Sequence, residues 1–119
     1  METMFMENLI EEVRWVKHPV FEGVFLKHIL VSKDSGGAFS LHVVHIEPGK
    51  KIGSHTHEHQ VETHEVLKGK GTCVNNGILS DYEPGATSLF EQGIVHEITA
   101  SDESKEGLYL LARFTPPLC

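Results

Sequence analysis

Between Gly49 and His96 the chain concentrates imidazoles and carboxylates at spacings that suit a metal ion. His55 and His57 stand two apart in Ser54-His55-Thr56-His57, so in an extended segment both rings leave the same face and two nitrogens converge on one point. Glu62 follows Glu58-His59-Gln60, and an antiparallel return after that polar connection would carry its carboxylate back toward the pair. His96 comes from a separate, later segment and would add a fourth donor. A rival set stays open. His55, His57 and His59 share parity, and a strand that ran on through them would form a three-histidine site without Glu62, with Gln60, Glu58 and Glu65 as lesser alternatives for the last donor. Three imidazoles with one carboxylate suit one divalent transition ion (Fe, Mn, Ni, Co, Cu or Zn) and not Mg or Ca, which prefer all-oxygen shells. Four protein donors on an octahedral ion leave two positions, where a substrate, water or dioxygen binds.

One further histidine bears on that site. If residues 61–68 are a strand, Glu62, His64 and Val66 share one face, and Val61, Thr63, Glu65 and Leu67 the other. His64 then points into the same cavity as Glu62, where it is the candidate catalytic residue, as an acid or base or as a hydrogen-bond partner of a ligand. The plainer alternative is a buried neutral histidine bonded to backbone.

The spacing Gly49, five residues, His55-x-His57, four residues, Glu62, six residues, Gly69 resembles the first cupin motif. Gly85, five residues, Glu91-x-Gly93, two residues, His96 resembles the second. The family pattern has proline where this chain has Glu91, and asparagine where it has Ala100; those departures touch a turn and a strand end, not a donor. The resemblance implies an all-β double-stranded β-helix, a jelly-roll cupin barrel, spanning residues 1–119 as one domain with an N-terminal arm over about residues 1–20. It also implies the ligand set His55, His57, Glu62 and His96, and the family spacing favours Glu62 over His59. It does not imply a reaction, because one fold hosts many functions. A metal-dependent dioxygenase or isomerase acting on a small organic metabolite is one expectation. A non-catalytic metal-containing module that binds or senses a small molecule is the other.

Composition bounds these readings. A chain of 119 residues holds one core of ordinary size. A formal charge of -7 with an isoelectric point near 5.6 argues against a nucleic-acid partner, since phosphate recognition wants clustered lysine and arginine. No apolar run approaches the roughly 20 residues that cross a bilayer, and Met1-Glu2-Thr3-Met4 lacks the basic-then-apolar start of a secretory signal, so no membrane partner and a cytoplasmic location are expected. Cys73 and Cys119 form no Cys-x-x-Cys pair and are expected to be free thiols.

The elements that must hold the site read as many short strands between turn signals. Residues 24–31 are rich in branched and aromatic side chains; Lys33-Asp34-Ser35-Gly36-Gly37 turns, and residues 38–47 form the next strand. Within it His42 and His45 have opposite parity, so one faces inward and the other is expected to be solvated. Asn75-Asn76-Gly77 is a tight hairpin signal, Glu91-Gln92-Gly93 a corner, residues 101–107 a polar loop, and residues 108–114 the last strand before Pro116-Pro117. Residues 5–16 have mixed periodicity and predict a helical turn that becomes extended. Phe5, Leu9, Ile10, Val13 and Trp15 have no evident place inside a barrel filled by the later strands, which leads to the expectation of a homodimer whose partner covers the arm.

Overall fold

The computed structural model describes residues 11–119. The part of the expected helical turn before residue 11, with Phe5, Leu9 and Ile10, lies outside the described residues; residues 11–12 are helical. Ten strands follow in chain order: β1 Val16–Lys17, β2 Val24–Leu30, β3 Ser40–Ile46, β4 Lys51–His55, β5 Val61–Lys68, β6 Gly71–Asn75, β7 Ile78–Tyr82, β8 Thr87–Phe90, β9 His96–Ala100 and β10 Leu108–Thr115. A single turn of 3-10 helix, Ser32–Asp34, joins β2 to β3. All pairings are antiparallel and fall into two sheets, ordered β1-β2-β3-β10-β5-β8 and β4-β9-β6-β7. This is a jelly-roll β-barrel.

Local chemistry explains the turns. Asn76 and Gly77 both have positive φ (51° and 82°), as the two central residues of a type I′ hairpin require, and they pair Asn75 with Ile78 across β6 and β7.

Strand alternation builds the interior. On β10, Leu108, Leu110, Ala112 and Phe114 are buried while Arg113 and Thr115 are exposed, so the even residues face the second sheet. Opposite them β5 presents Val66, His64 and Glu62, in register with Leu110, Ala112 and Phe114. Side by side, the strands grade from aliphatic at one end of the barrel to polar at the other: Ile46 and Val44 lead to His42 and Ser40 on β3, and Ala100 and Ile98 lead to His96 on β9. The aliphatic end holds the barrel shut. Each fully buried large side chain there, such as Ile46, Ile98 or Leu110, contributes about 1.5–3 kcal/mol by leaving water.

The parity argument for β3 holds for His42, which is fully buried, but His45 is not simply solvated. Phe25 on β2 and Tyr109 on β10 are its cross-strand partners, and its ring stacks on Tyr109 at 4.2 Å. Its Nε2–H donates to the Glu106 carbonyl at 2.8 Å. Aromatic neighbours on the outer face make a half-buried row where alternation alone predicts water. Trp15 joins this row, 5.8 Å from His45 and 6.2 Å from Tyr109.

Candidate metal centre

Four side chains meet at the polar end of the barrel. Donor atoms of His55, His57, Glu62 and His96 all lie within 4.8 Å of one another. They come from both sheets: His55 ends β4 and pairs across the ladder with His96 of β9, while Glu62 sits on β5 between its partners Phe90 and Phe114. The β4–β9 register shifts between Ile52 and His55, so two residues of β4 face one of β9. This bulge lets both Ile52 and His55 turn inward, although their odd spacing would put them on opposite faces of a regular strand. β4 ends at His55, and His57 belongs to the connection that follows, with its ring 5.0 Å from that of His55 and nearly perpendicular to it.

Backbone carbonyls set the ring orientations. The Nδ1–H of His55 donates to the Gly53 carbonyl at 2.8 Å, and the Nδ1–H of His96 donates to the Ile94 carbonyl at 3.1 Å. Each leaves its Nε2 for the centre, the way metal-binding histidines are usually held. His96 Nε2 lies 3.1 Å, and His57 Nε2 3.4 Å, from Glu62 Oε1. A neutral His96 already protonated on Nδ1 would turn a lone pair toward that carboxylate oxygen. Such an acceptor–acceptor contact calls for a positive charge, a proton or a metal ion, between the two atoms. Three imidazole nitrogens and one carboxylate oxygen converging in this way fit a divalent transition ion.

Electrostatics agree with that arrangement. Burial by itself would push the Glu62 carboxyl up, but His64 and His96 outweigh it and hold the group well below the usual carboxylate range. Burial lowers His55 and His57 below the ordinary imidazole value, so both are neutral and able to donate lone pairs at neutral pH.

His64 lies in the same cavity but outside the four-donor cluster. Its Nε2 is 2.7 Å from Glu62 Oε2 and its Nδ1 is 3.2 Å from the Tyr82 hydroxyl. The consistent assignment is Tyr82 O–H donating to Nδ1 and Nε2–H donating to Glu62, which leaves Oε1 facing the other imidazoles. Its partners are therefore side chains, not backbone. Of the rival donors, His59, Glu58 and Glu65 are exposed, and Gln60 donates from Nε2 to the Pro117 carbonyl. None joins the cluster.

The centre opens into a cavity of about 360 Å³, walled by Phe21, Leu26, Val44, Ile52, Phe114 and Leu118 as well as the polar residues. Among the described residues lining it there is no lysine or arginine.

Residues 42–112 match the cupin domain family. The chain belongs to the cupin family. The comparison with curated proteins found no match, whereas solved structures are similar in fold. A predicted oxalate decarboxylase from Thermotoga maritima is 22% identical, with a TM-score of 0.77 over 89% of this chain and 95% of that one. KdgF from a Halomonas species is 18% identical with a TM-score of 0.77, over 89% and 88% of the two chains. Ectoine synthase from P. lautus is 20% identical with a TM-score of 0.77, over 99% and 80%. At such identities the likeness establishes the fold of this cupin, and its chemistry has to be argued from its own residues.

Sequence reasoning missed two features of this cupin. Tyr82 as the partner of His64 had no signal, because β7 belongs to the other sheet. His28 and His42 form a direct cross-strand pair of β2 and β3, with their Nδ1 atoms 2.8 Å apart. Matching the two strands about Ser35, the midpoint of the Lys33–Gly37 turn, would have found that pair.

Proposed function

We propose that this cupin is a metal-dependent enzyme acting on a small organic molecule with a substantial apolar part, by a dioxygenase or isomerase type of reaction, with His55, His57, Glu62 and His96 as the metal ligands. The observation that carries the reading is the contact of His96 Nε2 with Glu62 Oε1 beside His57 Nε2, which calls for a proton or a metal ion between the atoms and, with His55 in the same cluster, suits a metal ion. A divalent ion held there supplies Lewis acidity and positions open to a substrate oxygen or dioxygen. The chain's own residues do the rest. Phe21, Leu26, Phe114 and Leu118 bind apolar surface and exclude water, and with no lysine or arginine among the described lining residues an acidic substrate would find its charge partner at the centre. His64 keeps a proton on Nε2 against Glu62 Oε2, positions that carboxylate, and through its place in the cavity is the candidate proton carrier. Several fold relatives are named as enzymes of small organic molecules, ectoine synthase and a polyketide cyclase among them, which supports the class and not the substrate.

The test combines metal analysis with turnover. One ion per chain is expected at this centre, lost in His57→Ala and His96→Ala; normal loading in either variant refutes the ligand set. His64→Ala is expected to load at saturating metal, with affinity down about 10–100-fold, and to lose roughly 10²–10⁴ in kcat. Oxygen uptake and product formation by Fe(II)- or Mn(II)-loaded protein over a panel of small organic acids and aromatics identify the reaction. Ligand-induced melting shifts with no turnover would make the protein a binding module instead.

A further inference from the structure

A second group of metal-ligating side chains lies beside the barrel centre and shares no residue with it. His28 of β2, His42 of β3 and Cys119 bring two imidazole nitrogens and a thiol sulfur within 4.8 Å of one another. The Nδ1 atoms of His28 and His42 are 2.8 Å apart, and Cys119 Sγ is 3.8 Å from His28 Nδ1. On one tetrahedral zinc-like ion, with bonds of ~2.05 Å to nitrogen and ~2.3 Å to sulfur, neighbouring nitrogens stand about 3.3 Å apart and a nitrogen and sulfur about 3.6 Å. Both of these separations lie within about half an ångström of those values, and the remaining pair lies within the same 4.8 Å, so the three groups are spaced for one ion.

We propose that His28, His42 and Cys119 form a second metal site, selective for a thiophilic divalent ion of the zinc class. The surroundings are those of a built site. His42 is fully buried, with its ring edge-on to Phe114 at 5.5 Å. Its other nitrogen, Nε2, is 2.8 Å from Ser40 Oγ, so an Nε2–H donated there leaves Nδ1 as the ligand atom. The same Ser40 oxygen accepts the Leu118 N–H at 2.8 Å, and Ser32 N–H donates to the Cys119 carbonyl at 2.6 Å. The third ligand thus arrives on a docked segment, not on a loose one. Binding releases the thiol proton of Cys119 and the proton shared between the two Nδ1 atoms, and the ring that carried the latter recovers one at Nε2; the fourth position stays open to water. Leu118 adjoins Cys119 and also walls the central cavity, so an ion here pins one wall of that cavity.

Cobalt(II) added to the fully reduced chain distinguishes the two centres, because His55, His57, Glu62 and His96 offer only nitrogen and oxygen. A thiolate-to-cobalt charge-transfer band in the near ultraviolet is expected as the second equivalent binds. Cys119→Ser should abolish the band and one equivalent of metal, and His28→Gln should weaken the band-forming event at least about tenfold. Cys73→Ser should leave the band intact, and so should His57→Ala with His96→Ala, which keeps this outcome separate from the fate of the central site. Saturation without the band, a band surviving Cys119→Ser, or unchanged affinity in His28→Gln overturns the proposal.

Discussion

The short contact between His28 and His42 makes one residue-scale consequence measurable. Burial first, and then the neighbouring His28, lower the His42 pKa to about 4 from its ordinary 6.5, with Glu62 opposing weakly. The unfolded chain therefore binds a proton at this residue between about pH 6.5 and 4 that the folded chain refuses. Stability rises with pH wherever the unfolded state holds more protons, so this residue's contribution is present above pH 6.5 and is lost as pH falls through that window. Its size is at most about 3 kcal/mol. Urea unfolding of the metal-stripped protein should show a steeper fall in stability from pH 7 to pH 4.5 for wild type than for His42→Asn; equal slopes would place the loss elsewhere. Glu62 acts in the same direction at lower pH, since a carboxyl held below its ordinary value stabilises the fold only while it is ionised.

At the scale of elements, the stability of the barrel depends on how closely the strands of the smaller sheet approach one another. Gly71 opens β6, where it pairs with Ala100 of β9 and Tyr82 of β7. A Cβ there would run into the Thr99 carbonyl and meet the Leu108 side chain at 3.0 Å. Gly71→Ala is expected to cost ~1–3 kcal/mol through this overpacking, read as a lower denaturation midpoint with unchanged m value. Metal content at saturation should survive, because the clash lies at the aliphatic end, away from His96. A variant as stable as wild type would mean that β6 and β9 part without cost. The β4 bulge does the opposite kind of work, spending a ladder bond to aim His55 at the centre.

For the whole molecule, the open question is what covers the β1 edge. β1 borders the six-stranded sheet, and Trp15 and Val16 remain 40% and 43% exposed there, beside the His45–Tyr109 stack. Exposed edges and apolar rows are places where a second copy of the chain can dock. A homodimer is therefore expected in solution, and deletion of residues 1–16 should shift the sedimenting species to a monomer that keeps its metal. A full-length chain that stays monomeric at micromolar concentration, or a truncated one of unchanged association state, would dismiss the arm as the interface. Among the described residues no helix is long and apolar enough to cross a membrane.

Much of this was legible in the residues alone, because it rests on local rules. Side-chain alternation placed Glu62, His64 and Val66 on one face of β5, the Asn-Gly pair marked the β6–β7 hairpin, and two spaced motifs pointed to the jelly-roll and to the four converging donors. Tertiary structure decided what local periodicity cannot encode. The bulge that turns His55 inward depends on the β4–β9 register, the row over His45 depends on which strands flank β3, and the Tyr82–His64–Glu62 chain of hydrogen bonds crosses between sheets. The meeting of Cys119 with His28 and His42 spans 91 residues of sequence. Contacts at that range follow from the neighbouring order β2-β3-β10 in the larger sheet, and only the folded chain brings those side chains within reach.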